Sequence, residues 1–207
     1  MDFLAIAAFL GAAVLLTLMP GPDNLFVLAQ SIAKGKKAGL ATSFGLCTGL
    51  LFHIAAATVG LSALVYQSSL AFALVKYAGA AYLLYLAYKS FRDRSSGFSL
   101  DEESSLNHTA LYKRGVIMNL LNPKVSLFFL ALFPQFINYS VGNIPGQMLV
   151  YGLVFLLQAL VIFSLISIFA GSVGAFLQKS PSMSRRINQL QGSLFALIAF
   201  NIAFSKK

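Results

Sequence analysis

The chain has 207 residues, 58% of them hydrophobic and only 10% charged, with a mean hydropathy of +0.79. Soluble domains carry roughly 25% charged residues, so the composition excludes an ordinary soluble enzyme. It leaves room for about six membrane spans of roughly 20 residues each and for no separate soluble domain. The net charge of +9 does not point to nucleic acid, because Lys and Arg fall in short clusters between apolar runs, as membrane topology requires.

The first apolar run, 3–33, has neither a basic n-region nor an A-x-A-like cleavage site, so it is expected to be a retained helix. It is interrupted by Pro20-Gly21-Pro22-Asp23-Asn24. Each proline removes a backbone donor and clashes with the preceding turn. An ionised aspartate in hydrocarbon costs roughly 2.5–3.5 kcal/mol even on the most lenient insertion scale. Such a break is tolerated at membrane depth only where it is buried in protein or lines a cavity. Pro20, Gly21 and Pro22 therefore mark a helix break at an internal site.

Further runs follow at 39–66, 70–88, 115–137, 145–177 and 187–204, which gives six candidate spans. In the second, Gly39, Gly45 and Gly49 have small-residue spacing and are expected on nearly one face, suited to close helix packing. His53 lies within the same run as a candidate proton relay or an interhelical hydrogen-bonder. In the third, Lys76 is close enough to the outer end to snorkel. Residues 92–113 are polar and of mixed charge, which reads as a solvated loop.

The fourth run repeats the design of the first. Asn119-Leu120-Leu121-Asn122-Pro123-Lys124 places a second proline break and a second charge in apolar surroundings. The fifth run is too long for one straight span, and Gly171 and Gly174 are where it is expected to kink or emerge. Gln158 in that run and Asn201 in the sixth read as helix-to-helix hydrogen-bonders.

Basic clusters at 34–37, at 89–94 with 113–114, and at 179–186 alternate with uncharged connections around residues 67–69 and 138–143. The positive-inside rule makes the basic side cytoplasmic and puts both termini outside, with only Lys206 and Lys207 opposing. The expected fold is all-α integral membrane: six transmembrane helices in two inverted three-helix repeats, with helices 1 and 4 broken. Repeat one covers about 1–92, a cytoplasmic loop about 93–113, and repeat two about 114–207, all in one transporter domain. Asp23 lies eleven residues before Lys34, and Lys124 ten after Arg114. At about 1.5 Å per residue, both sit roughly 15 Å from the cytoplasmic face, near the bilayer centre.

Two charges of opposite sign at matched depth suit a zwitterion. Asp23 is a candidate proton carrier or partner for a substrate ammonium group; the competing role is a carboxylate that caps the helix after Pro22. Lys124 is a candidate receptor for a substrate carboxylate, or a static partner of Asp23. The half-helix N-termini at Pro22 and Pro123 would offer further N–H donors to a carboxylate. Asn24, Asn119 and Asn122 are candidates for binding ligand or for bonding freed backbone groups. One Asp, one His and one Cys in the apolar runs make a thin ligand set for a metal, and no metal or cofactor is expected. The single Cys47 excludes an internal disulfide and thiol exchange within the chain, and no Gly-rich phosphate loop is present.

These residues also carry a resemblance. Pro20 to Asn24, the run Lys76-Tyr77-Ala78-Gly79-Ala80-Ala81-Tyr82-Leu83, and Asn122-Pro123-Lys124 with Phe128-Phe129 and Pro134-Gln135-Phe136 resemble signatures of the lysine exporter (LysE/RhtB) family of bacterial amino-acid efflux proteins. The chain departs from that pattern late in the sixth run, at Phe200-Asn201, where a small residue is expected. The resemblance implies a secondary transporter, not an enzyme. It would export amino acids or close derivatives across the bacterial inner membrane by proton antiport. Its partners would be the small-molecule substrate, protons and the lipid bilayer, and assembly into a homo-oligomer stays open. The alternative within the same superfamily is an exporter of metal or other cations.

Overall fold

A computed structural model describes residues 3–19, 21–61, 69–92 and 107–172, and within 189–204 the residues 189, 192–193, 195–197, 199–200 and 203–204. Every regular element among them is helical. Pro20, Gly174, Lys179, Arg185, Arg186, Asn201 and the acidic loop residues 101–103 lie outside the described residues, as does most of the sixth candidate span.

Helix α1 (Phe3–Leu18) and helix α2 (Pro22–Lys34) meet at a bend of 57°, as the halves of a broken span or of a re-entrant loop do. Pro22 opens α2, where a missing N–H costs least. Gly35, at φ +84°, is the whole connection to helix α3 (Lys36–Ala56). Only glycine adopts that left-handed turn without steric cost. The expected basic connection is therefore a single residue, and Lys36 and Lys37 already belong to α3.

A π-helical turn, Ala57–Leu61, extends α3, and together they are long and apolar enough to cross a membrane. Helix α4 (Ser69–Arg92) has 24 residues, about 36 Å at 1.5 Å per residue, which is also a spanning length.

Helix α5 (His108–Leu120) begins seven residues before the expected start of its span, because Asn107 caps it by accepting from the Ala110 N–H at 2.8 Å. The last part of the expected loop is thus helical. Helix α6 (Pro123–Leu127) follows and passes into a second π-helical turn, Phe128–Leu132, and a 3-10 turn, Phe133–Phe136. The axis bends by 49° between α5 and the segment Pro123–Phe136. Helix α7 (Ile144–Ile168) is capped by Asn143, which takes φ +45° and accepts from the Gly146 N–H at 3.2 Å. It ends at Phe169, short of the expected 177, and Ala170 to Ser172 resume a helical turn.

Among the described residues, two helices, α3 with its π-helical turn and α7, are long and apolar enough to cross a membrane, or up to four spans if each bent pair is counted as one. Their outward surface is greasy. On α7, Leu149, Leu153, Leu157, Val161, Leu165 and Ile168 are all exposed, while Met148, Tyr151, Phe155, Ala159 and Phe163 face inward. Exposed aliphatic side chains along a whole helix face are what a lipid-facing surface requires.

Inside, α3 is the axis of packing, with α2, α5 and α7 against it. A Cβ on Gly45 would land on the Tyr112 carbonyl, and one on Gly115 would come within 2.6 Å of the Thr42 carbonyl. The α3 and α5 backbones are thus in direct contact. Gly39 packs instead against Ser31 of α2 and Ser167 of α7. The three α3 glycines therefore do not share one face: six residues at about 100° each turn Gly39 well away from Gly45. On the other side of the fold, Phe9 of α1 is fully buried, with ring centroids 4.8 Å from Tyr151, 5.1 Å from Phe136, 5.6 Å from Phe133 and 5.9 Å from Phe128. This aromatic cluster ties the first broken span to the second.

Candidate functional site

The two breaks meet. At each, a helix ends, the chain turns, and a proline starts the next helix with a charged residue directly after it: Asp23 after Pro22, Lys124 after Pro123. A helix end leaves carbonyl and N–H groups without intrahelical partners, and here each break supplies groups to the other. Lys124 Nζ donates to the Met19 carbonyl at the end of α1, at 3.0 Å. Asn119 Nδ2, at the end of α5, donates to Asp23 Oδ2 at the start of α2, again at 3.0 Å.

The remaining asparagines repair the backbone. Asn24 Nδ2 reaches back across the first break to the Thr17 carbonyl at 2.7 Å. Asn122 Oδ1 accepts from the Lys124 N–H at 3.0 Å and so caps α6. The expectation that this second N-terminus stands open to a ligand is therefore modified: α6 has five residues, and its own chain occupies one of its donors.

His53 of α3 points at the same place. Its Nε2 lies 3.1 Å from the Asn119 carbonyl; since a carbonyl only accepts, this nitrogen carries the proton and donates. Pro123 has no N–H to offer that carbonyl four residues back; the Asn122 N–H bonds it at 3.0 Å, and His53 adds a second donor. The imidazole is stacked on Phe129, with centroids 5.9 Å apart and planes 9° from parallel. His53 is thus held as an interhelical donor. Gln158 of α7 donates to Thr17 Oγ1 at 2.9 Å and to the Phe155 carbonyl at 3.0 Å, linking α7 to α1.

Asp23 and Lys124 make no contact ion pair; the carboxylate is held by Asn119 and the ammonium by the Met19 carbonyl. Both line one cavity of about 360 Å³, counting its open mouth. Thr17, Asn24, Asn119 and Asn122 complete its polar side, and Leu16, Leu50, Val125, Phe155, Ala159 and Phe163 form its apolar side. Gly21 also belongs to the wall; a Cβ there would sit 3.6 Å from Lys124 Nζ, in ordinary contact with it.

Two atoms on this wall are unsatisfied. Asp23 is 4% exposed and Asn119 1%, yet Asp23 Oδ1 and Asn119 Oδ1 have no hydrogen-bond partner. A buried acceptor left unpaired costs about 1–3 kcal/mol, and more where it is charged. Buried groups left unpaired call for an explanation, and a bound ligand or water is one.

Among the described residues, no group of three or more His, Cys, Asp or Glu side chains could hold a metal ion. Of the residues singled out in the sequence, the structure brings Gly21, Asp23, Asn24, Asn119, Asn122 and Lys124 to the cavity, with His53 behind Asn119. Pro22 and Pro123 start the helices that present them. The apolar wall was not foreseen. Phe155, Ala159 and Phe163 recur at helical spacing, but α7 is apolar all round, so no period separates its cavity face from its lipid face. Thr17 carried a weak signal as the one polar side chain in the run 3–19.

Residues 3–206 match the model of the LysE type translocator family. The chain belongs to this family. A homoserine/homoserine lactone efflux protein of Salmonella typhimurium is 33% identical over 199 residues, which cover 96% of both chains. The protein of the same description from Salmonella typhi is 32% identical over 199 residues, again 96% of each. An uncharacterized membrane protein of Vibrio cholerae is 36% identical over 207 residues, the full length of both. No solved structure matches the chain. Membership in the LysE family identifies the chain as a membrane translocator of the efflux type, not a member of an enzyme family.

Proposed function

We propose that this chain exports amino acids or close derivatives of them across the bacterial inner membrane, in exchange for protons. The observation that carries the reading is the cavity between the two helix breaks, with Asp23 and Lys124 both on its wall but bonded to other groups. A zwitterion entering this space finds an acid for its ammonium group and an amine for its carboxylate. The names of the Salmonella relatives support the substrate class and the outward direction.

Asp23 is the coupling residue in this scheme. A proton and a substrate ammonium group compete for the same carboxylate, so occupation by one excludes the other. Mutual exclusion at a single buried acid is sufficient for antiport when the two ions leave on opposite sides. The paired breaks fit two inverted three-helix repeats in a six-span protein whose termini are periplasmic, an arrangement in which discontinuous helices meet at a midplane site.

Counterflow in proteoliposomes tests the function directly, with a panel of amino acids, homoserine and its lactone beside divalent metal ions. Exchange of one or more amino acids or derivatives, stimulated by an inward proton gradient, is the expected result. Exchange of a metal ion and of none of the amino acids would replace this reading with that of a cation exporter.

A further inference from the structure

Thr17 departs from the habit of the other buried hydroxyls. Among the described residues, the buried serines and threonines are Thr17, Ser31, Thr42, Ser43 and Ser167. The last four each donate to the carbonyl four residues earlier in their own helix, that of Val27, Ala38, Gly39 and Phe163, at 2.6–3.0 Å. Back-bonding of this kind satisfies a hydroxyl within an apolar helix. Among the described residues Thr17 makes no such bond; its Oγ1 accepts instead, from Gln158 Nε2 of α7 at 2.9 Å. Contact with a neighbouring helix does not explain the difference, since Ser43 back-bonds to Gly39 and still meets Ser167 Oγ of α7 at 3.1 Å.

Chemistry fixes the direction of the Gln158 bond. The same amide nitrogen lies 3.0 Å from the Phe155 carbonyl, which only accepts, so this end of the side chain is the NH2. The amide oxygen is buried elsewhere without a partner. Gln158 thus gives a hydrogen bond to Thr17 and takes none from it. A hydroxyl keeps one proton of its own to donate, and the open space that Thr17 borders is the cavity. Lys124 stands on the same wall with one N–H given to Met19 and two more to give.

We propose that Thr17 donates its hydroxyl proton to the substrate's carboxylate, and that Gln158 is the positioning residue that keeps this hydroxyl turned to the cavity. The proposal rests on the export reading above for the presence of a carboxylate in the cargo. Accepting from an amide N–H strengthens the O–H as a donor, because hydrogen bonds in a chain polarise one another. The relay from Gln158 through Thr17 reaches the substrate from α7 and α1, whereas Asp23 and Lys124 reach it from α2 and α6. A clamp between α1 and α7 would use only the acceptor side of Thr17 and would leave its proton free to back-bond.

Counterflow in proteoliposomes of the full chain reads this out, with homoserine and the common amino acids as the panel and the best exchanged of them as the probe. Thr17→Val keeps the shape of the side chain and removes the proton. It should raise the half-saturating concentration at least about tenfold, as loss of one hydrogen bond to a charged group does, and lower the maximal rate far less. Thr17→Ser keeps the hydroxyl and should stay within about threefold of the unaltered protein. Gln158→Met should raise the half-saturating concentration by a smaller factor. In the Thr17→Val background it should add nothing, because its route to the substrate is the Thr17 hydroxyl.

An unchanged half-saturating concentration in Thr17→Val overturns the donor role and leaves amino-acid export standing. Equal losses in the Val and Ser variants assign the effect to packing and overturn it as well. Additive effects of Gln158→Met and Thr17→Val overturn the positioning role. Exchange of no amino acid by the unaltered protein overturns both this proposal and the export reading. Should Thr17→Val fail to fold, Thr17→Cys takes its place with the same outcomes, since a thiol is only a weak donor.

Discussion

Lys124 closes a helix it does not belong to: its Nζ donates at 3.0 Å to the carbonyl of Met19, 105 residues earlier in the chain. Pro22 and the turn before it strip the end of α1 of its normal donors, and the second break supplies the replacement. In the reverse direction Asn119 of the second span serves Asp23 of the first. Each break is thus incomplete without the other. The same exchange leaves Asp23 and Lys124 on one cavity without fusing them into a pair.

Replacing Lys124 should cost stability as well as transport. Lys124→Met keeps the length and apolar stem of the side chain but leaves the Met19 carbonyl buried without a donor, a loss of about 1–3 kcal/mol. Thermal unfolding of the purified protein in detergent should fall accordingly. An unchanged midpoint would mean that the Met19 carbonyl has another donor.

Double-mutant cycles should rank the couplings. Asp23 and Asn119 share a hydrogen bond to a charged group, and residues in contact couple by about 0.5–3 kcal/mol. Asp23 and Lys124 act on one another only through space. The coupling from Asp23→Asn with Asn119→Leu should therefore exceed that from Asp23→Asn with Lys124→Met, measured as transport or as stability. The opposite order would indicate a direct ion pair in the resting state.

Asp23→Asn should uncouple the protein. The amide keeps the volume and accepts a hydrogen bond but carries no proton at the pH of transport, so accumulation driven by a proton gradient should be lost while some substrate exchange survives. Accumulation in the Asn variant equal to that of the unaltered protein would reduce Asp23 to a helix cap.

Much of this site could be read from residue types alone, because a broken apolar run with a charge in it has few physical explanations. Asp23, Asn119, Asn122 and Lys124 stand out for that reason, and the structure brings them to one cavity. Partnership could not be read in the same way. A buried acid and a buried base at equal depth suggest each other, yet each bonds a different group, because the nearer unmet demand at a break is the orphaned backbone. Glycine contacts were only half legible: spacing marks a packing surface but not the partner, and Gly39 serves α2 and α7 while Gly45 serves α5. Helix ends depended on single caps, as Asn107 shows by extending α5 toward the loop.

The α3–α5 seam should be the least tolerant place in the fold. A Cβ on Gly45 would meet the Tyr112 backbone carbonyl, which cannot swing aside as a side chain would. Gly45→Ala should therefore lower stability by about 1–3 kcal/mol or more through overpacking. Gly11→Ala is the control: a Cβ there, on the exposed side of α1, would meet nothing within 4 Å. That substitution should be neutral or gain up to about 1 kcal/mol from helix propensity. Comparable losses in the two variants would mean that the α3 and α5 backbones are not in contact.

Topology decides whether the two breaks belong to inverted halves. Lys34, Lys36 and Lys37 flank the one-residue turn at Gly35, and Lys113 and Arg114 lie in the first two turns of α5. The positive-inside rule predicts that both places are cytoplasmic. The chain then reaches the first break moving inward and the second moving outward, and the two prolines enter the site from opposite directions. Reporter fusions after Lys37, within residues 95–107 and after Lys179 should report cytoplasm; fusions after Ser68, Asn143 and Lys207 should report the periplasm. A periplasmic signal between residues 95 and 107 would make the two broken spans parallel rather than inverted. A cytoplasmic signal after Lys207 would require an odd number of spans, and the second repeat would then lack one of its three helices.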